Sequence, residues 1–255
     1  MLHTITLNKK TKTIKYLQMK RLLALVLLVS GFQMNAQSNS ELLKHYEAYY
    51  KQMQIQGDTQ GVINGLTHLI VLQPSQARKD TLAYIYMSEG KNVEALNTIG
   101  IDKLATDSDI ATQVKAVSLK ALRQPKRALE HFEVLFKRNP DPLVAYELAE
   151  LNMQLQNYAQ AQIHIDYGLA NAKDDMKKAF YEQQQPYEVP LKSAFMYLNA
   201  LTVYNNDPKA NIDAAVDILD ATLKTAPNFN LIQITKNELL RQKQLQQTQA
   251  TEAKK

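Results

Sequence analysis

The stretch Gln124–Pro140, QPKRALEHFEVLFKRNP, decides the fold. It sets a small residue, Ala128, four positions before an aromatic one, Phe132, so that both lie on one face of a helix. Pro140, eight residues further on, ends that helix. Steps of 33 residues lead back from Ala128 to Ala95 and Val62 and forward to Ala161. The apolar residue four places on recurs as Leu66, Ile99, Phe132 and Ile165. A fixed period of this length is the signature of stacked structural repeats.

Each unit contains a second helix upstream of the first. Leu42, Tyr46, Tyr49 and Met53 recur at helical spacing, and Gly57-Asp58 interrupts them before Val62, Leu66, Leu69 and Ile70 begin the next run. Twelve residues before the four anchors stand Tyr50, Ala83, Ala116 and Ala149. Small residues at both places let antiparallel helices approach closely. Five before each anchor the turn holds Gly57, Gly90, Arg123 and Gln156, so the glycine is lost in later units.

Leu82-Ala83…Tyr86…Gly90…Ala95, Ala128-x₃-Phe132…Pro140 and Leu148-Ala149…Tyr158…Ala161 resemble the tetratricopeptide repeat (TPR) family, and Val62-x₃-Leu66…Pro74 is a partial match. The chain departs from that family in lacking the first-helix tryptophan and in its step of 33. The resemblance covers about residues 41–230. It implies an all-α, right-handed solenoid of stacked helix-turn-helix units. Residues 41–170 would form four repeats and residues 191–227 a fifth, displaced one, with Ala215-x₃-Leu219…Pro227 as its second helix. Residues 228–255 would form a capping helix and polar tail.

Residues 171–190 interrupt the register. Asp174-Asp175 is expected to cap a short helix carrying Met176, Phe180 and Tyr181, stopped before Pro186 and followed by an extended PYEVP. The insertion reads equally as a docking loop or lid using Phe180, Tyr181 and Tyr187, or as a connection whose aromatics fill a gap.

The formal charge is +5, yet residues 1–36 hold six Lys/Arg and no acid; without them 24 bases face 25 acids. Nucleic-acid binding by the body is thereby disfavoured. Lys20-Arg21, the apolar Leu22–Val29 and a polar run ending in Ala36 have the layout of a signal peptide, with a start at Met19 as an alternative to Met1. Extended to Phe32, the apolar run is 11 residues, short of the roughly 18–20 that span a bilayer. The expectation is export to the periplasm or cell surface of a Gram-negative-type bacterium. The chain has no cysteine, which excludes disulfides, thiolate metal sites and lipidation at a cleavage-site Cys.

No catalytic pattern stands out, so no enzyme, cofactor or metal site is expected. His131 and His164 lie one repeat apart, with Glu133 and Asp166 as the nearest further ligands; two exposed histidines on the convex face are the default expectation. By resemblance, the concave groove is lined at the fifth, ninth and twelfth positions of each repeat. These are Glu47, Lys51 and Gln54; Asp80, Tyr84 and Met87; Gln113, Val117 and Lys120; Tyr146, Glu150 and Met153. Tyr, Met and mixed charge suit a protein or peptide partner. Glu47, Thr81, Ile110 and Val114 do not reproduce the basic clamp that some relatives use on chaperone C-termini. The expected function is an exported scaffold or adaptor binding a protein or peptide non-covalently. The alternatives are a self-associating envelope component, and a small-ligand binder or enzyme using the insertion.

Overall fold

The computed structural model describes residues 39–252, with side chains to 249. The expected signal peptide and the choice between Met1 and Met19 lie outside the described residues. The described residues fall into two compact units, one up to Ile85 and one from Tyr86 onward.

The first unit holds α1 (residues 39–56), α2 (Thr59–Leu72) and most of α3 (Gln76–Ser88). Asp58 opens α2 by accepting a hydrogen bond from the Gly61 N–H at 2.9 Å, which satisfies one of the donors a helix start leaves unpaired. Val62, Ile63, Leu66 and Leu69 of α2 are buried, together with Leu82 and Ala83 of α3.

The second unit continues with α4 (Asn92–Ile99), α5 (Asp109–Ala121), α6 (Pro125–Arg138), α7 (Pro142–Gln154), α8 (Tyr158–Asn171), α9 (Leu191–Asn206), α10 (Ile212–Thr225) and α11 (Asn230–Glu252). Each helix packs on the next in the chain from α4 to α11, and α7 also packs directly on α9. The Gln124–Pro140 stretch is α6. Pro125 sits at its first turn, where a missing N–H costs nothing, and Lys137 and Arg138 occupy its last turn, facing the negative end of the dipole. Asp141 then caps α7 through the N–H groups of Leu143 and Val144. Ala95, Ala116, Ala128, Ala149 and Ala161 are all fully buried, as the spacing requires of close-approach positions.

The turns inside the first four units share one geometry. Gly57, Gly90, Arg123 and Gln156 all have positive φ, at 68°, 73°, 56° and 61°. The N–H of each bonds the carbonyl three residues back, and the next N–H bonds the carbonyl five back, as in Gln124 to Leu119 at 2.9 Å. This is the Schellman closure, in which the left-handed residue satisfies the last carbonyls of a helix. The following residue also starts the next helix, since the carbonyls of Asp58, Lys91, Gln124 and Asn157 accept from Val62, Ala95, Ala128 and Ala161. The left-handed turn thus persists where the glycine does not.

Two expectations are corrected. The insertion does not form a short helix at Met176–Tyr181. It is a β-hairpin, β1 (Lys177–Phe180) antiparallel to β2 (Tyr187–Pro190), with Lys177 opposite Pro190 and Phe180 opposite Tyr187. The hairpin is stabilised by contacts a local reading lacks: the stacked rings of Phe180 and Tyr187, 5.9 Å apart, meet Phe229 at 4.7 and 6.4 Å. Asp174, expected as a cap, pairs with Lys192 at 2.8 Å. The second correction concerns His131, which is buried, not exposed. The α4–α5 connection folds back over it, and its Nε2–H donates to the Ile101 carbonyl at 3.1 Å.

Candidate functional site

Two clefts share one address in the repeat. In the second unit a cleft of about 750 Å³ lies between α5 and α7, floored by α6. Val117, Phe132, Leu135, Leu143 and Val144 supply apolar surface, and Asp109, Lys120, Arg138, Asp141 and Glu147 stand among its charged lining. In the first unit a cleft of about 350 Å³ lies between α1 and α3, floored by α2. Its lining falls two repeats earlier position for position: Glu47 for Gln113, Lys51 for Val117, Leu66 for Phe132, Leu69 for Leu135, Arg78 for Val144 and Thr81 for Glu147. The scaffold provides a cleft between paired first helices. Side chains decide its size and polarity.

The residues expected to line the groove divide accordingly. Gln113, Val117 and Lys120 line the larger cleft, and Glu150 joins it by pairing with Lys120. Glu47 and Lys51 line the smaller one, where Arg78 reaches Glu47 at 3.3 Å. Gln54 and Tyr84 are exposed and Met87 half-buried, apart from either cleft. Asp80 is buried and accepts from Gln76 Nε2 at 2.8 Å. Tyr146 is only 1% exposed; its ring meets that of Phe195 edge-on at 5.5 Å, inside the larger core. Met153 packs against that same core. Of the insertion residues, Phe180 and Tyr187 pack inward and Tyr181 is 74% exposed.

The charged rim is internally paired. Lys120 of α5 bridges Glu147 and Glu150 of α7, and Glu147 turns its other oxygen to Lys178 of β1 at 2.7 Å. Burial opposes the Lys120 charge, but Glu147 and Glu150 outweigh it and hold its pKa above that of an ordinary lysine. Burial likewise pushes the Glu147 carboxyl up, and Lys120 and Lys178 override it to a net lowering. Burial pushes the Tyr146 hydroxyl well up, with Glu150 and Glu147 adding to the effect. Lys178 also lies over the Tyr146 ring, 4.7 Å from its centre. On the opposite rim Arg138 holds Asp109 at 2.9 Å.

Sequence reasoning missed the floor and the second wall. Phe132 and Leu135 read as ordinary core at helical spacing, and Leu143 and Val144 precede the mapped positions of their repeat. Their signal was the same 33-residue step, applied to the helix start. Among the described residues no group of three or more His, Asp or Glu side chains is placed to hold a metal ion. No described helix is long and apolar enough to cross a membrane.

These paired helices, left-handed turns and buried small residues define an all-α tetratricopeptide-repeat fold, to which the hairpin is added. No family model and no curated protein matches the chain. Solved structures of similar fold include a tetratricopeptide repeat protein from Parabacteroides merdae, with TM-score 0.58 and 20% identity over 80% of this chain and 72% of that one. YrrB, described as a TPR protein with an unusual peptide-binding site, has TM-score 0.60 and 13% identity over 81% of this chain and 97% of its own. MamA from Desulfovibrio magneticus, residues 41 to the end, has TM-score 0.54 and 13% identity over 74% and 97%.

Proposed function

We propose that this chain is a non-catalytic protein-interaction scaffold that receives a segment of a partner polypeptide between α5 and α7. The observation that carries this reading is the cleft of about 750 Å³ there, with apolar walls inside a charged rim. That combination of apolar interior and few fixed polar groups is what a preformed binding site requires. The peptide-binding site attributed to YrrB lends the reading support by fold likeness.

A photo-cross-linking amino acid at exposed Gln113, beside the cleft, tests it against one at exposed Glu133 on α6. The scaffold reading expects one partner to be captured from Gln113 and not from Glu133, and to be lost when Val117→Trp fills the cleft. Capture from Glu133 alone, or capture indifferent to Val117→Trp, overturns it.

We read the chain as exported, on the layout of residues 20–36. The native protein recovered from cell envelopes then begins just after Ala36. Recovery from the cytoplasm with residues 20–36 intact rejects export.

A further inference from the structure

The α5–α7 cleft and the β-hairpin beside it together indicate the chemistry of the segment that fits. We propose that the cleft takes an extended polypeptide segment whose apolar side chain enters between Val117 and Leu143, with a Lys or Arg flanking it. This inference rests on the scaffold reading and names the class of its partner.

The rim favours an incoming cation. Arg138 is already engaged by Asp109, and Lys120 by Glu147 and Glu150. Each cation of the lining thus already has a carboxylate beside it, and Asp109, Asp141 and Glu147 there outnumber Lys120 and Arg138, so an entering carboxylate meets an excess of like charge. A cation meets carboxylate instead: Asp109 offers only one oxygen to Arg138 and its side chain is 74% exposed, and Glu150 offers one oxygen to Lys120 and is 43% exposed.

The chain also presents such a segment to itself. In β1, Lys178 reaches Glu147 at 2.7 Å from the side away from Lys120 and caps the Tyr146 ring. Phe180, two residues on and therefore on the same face of the strand, packs against Phe229 at 4.7 Å. A cation and an aromatic ring at alternate positions of an extended strand thus already pack in cis, the cation on Glu147 of α7 and the ring on Phe229 in the connection before α11. Glu147 belongs both to that contact and to the wall of the open cleft. The smaller cleft of the first unit supplies a contrast. There Lys51 and Arg78 replace Val117 and Val144, so the same fold position lacks the apolar walls, and its two cations face Glu47 as the one acid of the lining.

The test is selection of random linear peptides displayed on phage against the protein as recovered from its cells. Selected peptides are then labelled and titrated by fluorescence anisotropy. Enrichment of an apolar residue with Lys or Arg one or two positions away is expected. Binding should be lost in Val117→Trp and in Leu143→Arg, the latter at an exposed position that leaves the core alone. Asp109→Asn should weaken it by about threefold, as a rim charge does, and added salt should weaken it further. Enrichment of acidic or uncharged peptides that Val117→Trp and Leu143→Arg abolish overturns this inference and leaves the scaffold reading standing. Failure to enrich any peptide, or binding indifferent to both variants, overturns both.

Discussion

Arg123 and Gln156 hold left-handed backbone conformations that glycine adopts without strain. For an L-residue the left-handed region costs about 1–2 kcal/mol, and the extra freedom of an unfolded glycine offsets about 0.5–1 kcal/mol of that. Arg123→Gly and Gln156→Gly should therefore each raise stability by about 0.5–1 kcal/mol, read as a higher urea midpoint at unchanged slope. Lys115 presents the opposite case. Its side chain is fully buried, and its ammonium donates to Asp107 at 2.7 Å and to the Asp102 carbonyl at 2.7 Å. Lys115→Met leaves the Asp107 carboxylate, only 10% exposed, without its cation. The expected cost is about 3 kcal/mol, which chemical denaturation would measure, and an unchanged midpoint would show that the pair contributes nothing.

At the scale of elements, helix approach depends on missing side chains. A Cβ added at Gly168 of α8 would lie 2.0 Å from the ring of Phe195 on α9. That ring is fully buried and held edge-on by Tyr146, so it cannot swing aside. Gly168→Ala should destabilise by about 1–3 kcal/mol, and Phe195→Leu in the same chain should restore part of the loss. Helix pairing was legible in the sequence because Val62, Ala95, Ala128 and Ala161 repeat locally. The left-handed turns were legible at Gly57 and Gly90 and concealed at Arg123 and Gln156. The hairpin was not legible, since KKAFYE carries helix-compatible residues and its strands are held by Glu147, Phe229 and the Leu231 N–H, which donates to the Tyr187 hydroxyl at 3.3 Å. That hydroxyl, partly buried and bonded to Glu182, is pushed up to about 12. The candidate site was half legible for the same reason: Gln113, Val117 and Lys120 follow from the repeat, whereas Tyr146 is claimed by Phe195, a residue of the displaced unit.

For the molecule as a whole, pH acts through two histidines one repeat apart. Burial lowers the His131 pKa against the pull of the Ile101 hydrogen bond, and burial alone lowers that of His164. The Nδ1 atoms of both are buried without a hydrogen-bond partner among the described residues. Folding therefore disfavours the charged form of both. A depressed folded pKa gives stability that is present above the unfolded value near 6.5 and is lost as pH falls through the folded values. The urea midpoint should drop between pH 7 and pH 5, and His131→Gln with His164→Gln should flatten that drop. The doubled role of Asp58, Lys91, Gln124 and Asn157, closing one helix while opening the next, bears on the order of assembly. Their turn bonds span no more than five residues, so each helix pair can close early at little entropic cost. The hairpin's ties to Glu147, Asn228 and Leu231 span 31, 40 and 44 residues and must wait for helices to be in place. Phe180→Ala should then accelerate unfolding and leave the refolding rate nearly unchanged in stopped-flow traces: the hairpin is the last part to arrive and the first to leave.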